Sequence, residues 1–408
     1  MDPITHGITG ALLGKSYFSD RYGRVATFAV VLGSVFPDID IAAELISRDP
    51  LAIVKYHRAI THSFVALPVF AVLLGALISW WLRKRKIESP PWGILALMCG
   101  VGIASHILLD GMTSFGTRMW TPISQKRVAW DLLFIIDFAF TAIVLLPQVV
   151  PWIYAPGETQ KSVSRARAVR MWILFAGAAI IAWRIAVFTG YSFHLWIVAL
   201  VSGILAALFF LPGIRGWGFR ASRSLWCQLG TCAAVAYLLL CGLGHHAAML
   251  RVHNFAVANH IDVVRIGALP VPPSWFDWGD VIRTRDGIYQ ARFDLRHAQN
   301  VSFTFLPDSP PDPYIARAIR LPEVQLYWQF ARFPTIHTSV EDGQHIVDFS
   351  EHRFTNGNRR SPQPFSYRLI FDPAGALVAE GWLQNGMFMQ FMRRAETAPV
   401  APISRQTK

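Results

Sequence analysis

The chain has 408 residues, of which 53% are hydrophobic and only 16% charged, with a mean hydropathy of +0.35 and a net charge of +12. A soluble globular protein carries about 25% charged residues, and several apolar stretches here approach the ~20 residues that cross a bilayer as helix. An ordinary soluble fold is therefore excluded, and because the Lys and Arg sit in short loops between apolar segments, the positive-inside rule explains the charge better than a nucleic-acid partner does.

In chain order, the hydropathy pattern predicts about eight helical segments. Two are short, Ile4–Phe18 and Val25–Phe36 continuing toward Ile46. Six are clearer: Phe64–Leu82, Trp92–Leu109, Asp131–Tyr154, Met171–Thr189, Phe193–Leu211 and Leu225–Leu250. Basic residues mark alternate connections: Lys15, Arg21 and Arg24; Arg83 to Lys86; Lys161, Arg165, Arg167 and Arg170; Arg215, Arg220 and Arg223. Those loops belong on one side, the cytoplasmic one, which puts both termini on the periplasmic side of a multi-pass inner-membrane protein. Met1-Asp2-Pro3 has no basic stretch leading into a long apolar run, so no cleavable signal peptide is expected.

From about Arg251 the pattern changes. Tyr289–Leu295, Gln344–Phe349 and Tyr367–Phe371 alternate as strands do, and Asp286-Gly287, Asp342-Gly343 and Asp372-Pro373-Ala374-Gly375 are turn sequences. Glu323–Arg332 reads as a short helix, and the Pro- and Trp-rich stretch Leu269–Trp278 as a linker or cap. The expected organisation is a mainly α, polytopic helical membrane domain over 1–250 and a C-terminal α+β soluble domain over 251–396 on an antiparallel sheet. A disordered tail over 397–408 follows. Cys99, Cys227, Cys232 and Cys241 lie in apolar segments at spacings that fit neither a zinc site nor a disulfide framework, and read as small core residues.

The residues that carry chemistry fall at segment ends. His6 opens the first segment, Asp38 and Asp40 close the second, His57 and His62 precede the third, and His106 and Asp110 close the fourth. All seven land at the non-cytoplasmic end of a topology built from Lys and Arg alone. Histidine and carboxylate are the usual ligands of zinc and related divalent ions, and ionisable residues at membrane depth mark functional sites. His106 and Asp110, four apart on a helix, share a face. Asp38 and Asp40 follow Pro37, whose break in the helix lets both carboxylates turn inward. Arg58, between the two histidines, suits an anionic group or a lipid headgroup. The turn-rich loop after Asp110 offers Thr113, Ser114 and Arg118 as substrate contacts. Asp137, read as lying inside the next helix, either orients a histidine ligand or makes a packing hydrogen bond. His245, His246, His253 and His260 read as interfacial. No nucleophile elbow and no phosphate-binding glycine loop is present.

Thr5-His6-Gly7, Phe36-Pro-Asp-Ile-Asp40, His57-Arg-Ala-Ile-Thr-His62-Ser and Ser105-His-Ile-Leu-Leu-Asp110, in that order, resemble the YdjM-like family of inner-membrane metal-dependent hydrolases. The resemblance is strongest over the first 140 residues. That family is itself similar to the all-helical zinc-dependent phospholipase C and P1 nuclease group, which implies phosphoester hydrolysis on two or three zinc ions; a complete three-zinc ligand set is not found here. The expectation is a membrane-bound hydrolase with one to three Zn2+ on His6, Asp38, Asp40, His57, His62, His106 and Asp110. Asp40 would serve as base, and Arg58 would hold a lipid or lipid-linked phosphoester. Two other classes stay open: a metal or proton transporter, which would need polar residues across the full bilayer, and a non-catalytic scaffold with a structural metal whose C-terminal domain binds a protein partner.

Overall fold

The computed structural model describes residues 1–47, 49, 51–154, 160–188, 195–216, 218, 220–272, 274–296, 302–354, 365–384 and 387–391. The expected disordered tail over 397–408 lies outside them. The chain divides into two compact units. The first comprises Met1–Asp40, Arg58–His245 and Pro270–Phe276; the second comprises Ile41–His57, His246–Leu269 and Asp277–Lys408.

The helices in chain order are α1 (Pro3–Tyr17), α2 (Ser19–Val35), α3 (Ile41–Ile46), α4 (Ala52–Tyr56), α5 (Leu67–Lys84), α6 (Trp92–Gly111), α7 (Phe138–Ile153), α8 (Gln160–Phe188), α9 (Leu195–Ile214) and α10 (Arg223–Ala258). Helix α1 starts where the local chemistry says it should. Asp2 caps it by accepting from Thr5 N at 2.9 Å, and Pro3 takes the first turn, where its missing N–H costs nothing. Four helices, α5, α6, α9 and α10, are long and apolar enough to cross a membrane; α7, at 16 residues, is apolar but shorter.

Small residues let two helices approach backbone to backbone. The crossing of α2 and α6 is such a case. A Cβ on Gly33 would lie 2.2 Å from the Cys99 carbonyl oxygen, and one on Gly102 would lie 2.2 Å from that of Val30. Around this crossing Ala29, Val30, Leu74, Ile78, Leu95, Met98, Ile103 and Ile107 form one buried cluster joining α2, α5 and α6. A second cluster, with Leu12, Leu133, Phe140, Val144 and Tyr237, ties α1, α7 and α10 together. Cys99, Cys227 and Cys241 are buried free thiols, and Cys232 is exposed.

The fifth segment begins later than its hydropathy suggests. Helix α7 starts at Phe138, because Asp137 is extended and caps it, accepting from Phe140 N at 2.9 Å. The stretch before it is loop, with Asp131 at φ 53° and a bridge from Leu133 to Thr113. Asp137 is thus at a helix start and not six residues inside one.

The second unit carries two sheets. One has the order β1 (Arg265–Val271), β2 (Asp277–Arg283), β3 (Gly287–Asp294), β4 (Thr304–Pro307). The other runs β5 (Pro334–Glu341), β6 (Gln344–Glu351), β7 (Ser366–Phe371), β8 (Leu377–Gln384), β9 (Met387–Phe391). The pairs from β2 to β4 and from β5 to β9 are antiparallel. Short helices α11 (Pro313–Ala318) and α12 (Pro322–Phe330) come between the sheets. Asp342 and Gly343 both have positive φ, 50° and 76°, as a two-residue hairpin turn requires. The stretch Leu269–Trp278 is not a linker: it holds the end of β1, a turn and the start of β2. Its alternation is short and broken by prolines, which hides the strands.

Strand β2 is buried on both faces. Trp278 and Ile282 face Ala248, Val252 and Ala256 of α10, while Val281 meets Leu269, Ile288 and Phe333. Asp280 shares the Trp278 face. It is buried, and neither carboxyl oxygen has a hydrogen-bond partner among the described residues. Burial pushes its carboxyl well above the usual carboxylate range, opposed only by the nearby Arg251 charge.

Candidate metal centre

Three helix ends meet in the first unit. The 3-10 turn Phe36–Asp40 follows α2, a second 3-10 turn spans Ile60–His62 before α5, and α6 brings His106 and Asp110 on adjacent turns. Asp38, His62, His106 and Asp110 each turn one ligand atom inward, and these atoms lie within 4.8 Å of one another. The two Nε2 atoms are 3.0 Å apart. Asp110 Oδ2 is 3.2 Å from His62 Nε2 and 3.4 Å from His106 Nε2, and Asp38 Oδ1 is 3.7 Å and 3.5 Å from the same two atoms. Tetrahedral zinc with bonds of about 2.0–2.1 Å would set its ligand atoms about 3.3 Å apart, so the residues fit such an ion.

The far nitrogens of both rings are held by acceptors. His106 Nδ1 donates to the Ser34 carbonyl at 2.7 Å. That contact exists because α2 and α6 touch at Gly33 and Gly102. His62 Nδ1 sits 3.2 Å from Asp40 Oδ2 and 3.0 Å from Thr61 Oγ1. With each Nδ1 held from behind, both Nε2 atoms point toward each other and toward the Asp38 and Asp110 carboxylates. Orientation of a ligand imidazole by a carbonyl or carboxylate is the usual support of a metal site.

Asp40 serves that support. Its Oδ2 also accepts from Arg58 N at 2.8 Å and Thr61 Oγ1 at 3.2 Å, and Asp40 is not one of the four inward-facing residues. His6 stacks on His106 with ring centroids 3.6 Å apart, and its Nε2 lies 3.1 Å from Asp110 Oδ1, the oxygen turned away from the cluster. The Met1 amino group also contacts Asp110 Oδ1. His57 ends α4 and belongs to the second unit.

Arg58 is buried, at φ 57°, and its guanidinium does not open to solvent. Nε lies 2.9 Å from Asp110 Oδ2, one terminal nitrogen donates to Thr113 Oγ1 at 2.8 Å, and the plane lies over Phe115. Thr113 Oγ1 in turn donates to the Asp110 carbonyl at 2.9 Å. Arg118 contributes its backbone, N–H to the Arg58 carbonyl at 3.0 Å, and Ser114 is buried beside it in the loop. Asp137 binds Tyr237 Oη at 2.9 Å and Ser274 Oγ at 2.5 Å, so its bonds tie α7, α10 and the β1–β2 turn together. Ser34, Tyr237 and Ser274 carry no sequence signal for these roles: Ser34 acts through its backbone, and the other two are distant in the chain.

The side chains of Asp38, Asp40 and Asp110 set three carboxylates beside two cationic partners, Arg58 and the Met1 amino group, both on Asp110. Buried charge without a partner is expensive, and a cation between Asp38 and Asp110 would offset it.

The same residues carry the relationship to known proteins. Residues 1–191 match the family model of the YdjM inner membrane proteins. The resemblance drawn from the four motifs thus holds over the segment that contains the whole cluster. Over 166 residues the chain is 27% identical to YfhP of Bacillus subtilis (strain 168), an uncharacterized protein; the match covers 39% of this chain and 48% of YfhP. The chain therefore spans about half the length of the curated relative it matches. No solved structure matches the chain.

Proposed function

We propose that this protein is a membrane-bound metal-dependent hydrolase of the inner membrane, with its site at the periplasmic face. Its metal ligands are Asp38, His62, His106 and Asp110. The observation that carries the reading is the pair of imidazole Nε2 atoms 3.0 Å apart, each ring fixed from behind and both facing carboxylate oxygens. Zinc suits this nitrogen and oxygen set. When bound, it supplies Lewis acidity toward a water molecule and a scissile bond.

The chain's own residues do the rest. Asp40 and the Ser34 carbonyl hold the two rings. Arg58 and His6 hold Asp110, one on each carboxylate oxygen. Asp38 is the least buried of the four and its Oδ2 has no hydrogen-bond partner among the described residues, so it is better placed than Asp40 to take a proton from an attacking water. Ile4, Ile39 and Ile60, within or next to the motifs in sequence, are exposed apolar side chains. Exposed apolar residues next to the ligand motifs favour a lipid or lipid-linked substrate, and the phosphoester class follows from the family resemblance alone.

The test is elemental analysis of the purified full-length protein, with the variants His62→Ala and His106→Ala, followed by a screen of phospholipids and phosphodiesters. One zinc-like ion per chain, lost in both variants along with hydrolysis, supports the reading. No stoichiometric metal in wild type, with variants that fold normally, overturns it. Metal retained without any hydrolysis moves the protein to transport or scaffolding.

A further inference from the structure

The opposite ends of the same helices carry a different chemistry. Helix α5 leaves the cluster region at Leu67 and runs 18 residues, about 27 Å at ~1.5 Å per residue, to Arg83 and Lys84. That length matches the ~30 Å hydrocarbon core of a bilayer. Helices α1 and α2 meet at the same end, around Arg21 and Arg24.

There, four consecutive basic residues, Arg83 to Lys86, are all exposed, as are Arg21 and Arg24. None of the six forms an ion pair among the described residues, and only Asp20 and Glu88 offer opposite charge nearby. Aromatic rings lie under the cations. Lys84 sits 5.3 Å over Trp80, Arg85 lies 5.9 Å over Trp81, Arg21 lies 5.2 Å over Tyr22, and Trp81 stacks on Phe28 of α2. Trp and Tyr beside Lys and Arg mark headgroup depth. The last of these charges sits at a strained backbone position. The chain reverses after α5 with Lys86 at φ 56°, and Ile87 N reaches back to the Leu82 carbonyl at 3.0 Å. This closing position is one that glycine fills without strain. A lysine there bears strain and adds a fourth like charge to a crowded run, which stability alone does not favour.

We propose that this end of the first unit is a binding surface for the headgroups of anionic phospholipids, clamped between the α1–α2 turn and the end of α5. The inference uses the membrane assignment but none of the metal chemistry, which lies at the other helix ends. Charge complementarity selects the lipid class, and the tryptophan pair places the headgroup phosphate level with the arginines.

The experiment is native mass spectrometry of the full-length protein in detergent, titrated with phosphatidylglycerol and with phosphatidylcholine of the same acyl chains. Bound metal is read on the same samples. Wild type should retain phosphatidylglycerol about tenfold more tightly. Arg21→Gln/Arg24→Gln and Lys86→Gly should each weaken that preference by several-fold with metal content unchanged; Lys86→Gly also relieves the backbone and so should fold at least as well as wild type. Equal retention of the two lipids by wild type overturns the proposal. So does a preference that survives in both variants. Competition by millimolar inorganic phosphate that erases the preference overturns it too, since the surface would then be a phosphate site and not a lipid one.

Discussion

His106 gives its Nδ1 hydrogen to the carbonyl of Ser34, and that one bond aims its other nitrogen at His62. The bond depends on α2 and α6 touching at Gly33 and Gly102. A side chain at Gly102 would strike the Val30 carbonyl, and overpacking of this kind costs ~1–3 kcal/mol. Gly102→Ala should therefore lower thermal stability and also reduce bound metal, as measured by melting and elemental analysis. Full metal content with a lowered melting point would separate the crossing from the site.

Asp38 and Asp40 are two residues apart, yet their roles differ. Loss of a carboxylate that orients a ligand histidine costs about 10–100-fold in metal affinity. Asp40→Asn should bind metal within that range of wild type, while Asp38→Asn should lose far more. Competition with a chromogenic chelator gives both constants. The reverse order would make Asp40 the ligand and Asp38 its support.

Removal of the metal should leave the first unit holding uncompensated buried charge. A strong chelator is expected to lower the melting temperature of wild type and to leave His62→Ala/His106→Ala unaffected. An equal response in the two proteins would place the chelator's effect elsewhere.

Arg58 faces Asp110 at 2.9 Å with both side chains buried. Breaking one partner of a buried pair costs ~3–5 kcal/mol. Arg58→Gln should destabilise the protein by that order, and Arg58→Lys, lacking the planar fork that also reaches Thr113, by less. Were Arg58 instead a substrate contact, both variants would keep wild-type stability and lose only activity.

Asp280 supplies a pH prediction outside the membrane segments. Its folded-state pKa is raised, so its contribution is fully present below the unfolded value of about 3.9 and is lost as pH rises through the folded value. Asp280→Asn removes that loss. The variant should melt higher than wild type near pH 8. The difference should close toward pH 4. A constant difference across that range would show that ionisation of Asp280 is not involved.

The helices with long apolar runs and the charge pattern of their loops were readable because bilayer length and hydropathy are local properties. The strands with alternating residues and Asp-Gly turns were readable for the same reason. What hid was set by contacts between distant residues. The start of α7 depends on Asp137 capping it, and an apolar run cannot reveal that. Around β1 and β2 the alternation is obscured, because Pro270, Pro272 and Pro273 interrupt the pattern. In the candidate site, sequence order suggested that seven residues share one side of the membrane. It could not say which atoms turn inward. The structure brings Asp38, His62, His106 and Asp110 together, puts Asp40 and His6 behind them, and assigns His57 to the other unit.

Ser274 belongs to a turn whose flanking strands lie mostly in the second unit, while the turn itself, bonded to Asp137, is part of the first. The chain also leaves the first unit after Asp40 and rejoins it at Arg58. Neither unit is a continuous piece of polypeptide. A gene truncated near codon 250 would strip Asp137 of one partner as well as removing the sheets, and a sheet region expressed alone would lack α3 and α4. The two units should be inherited, and lost, together.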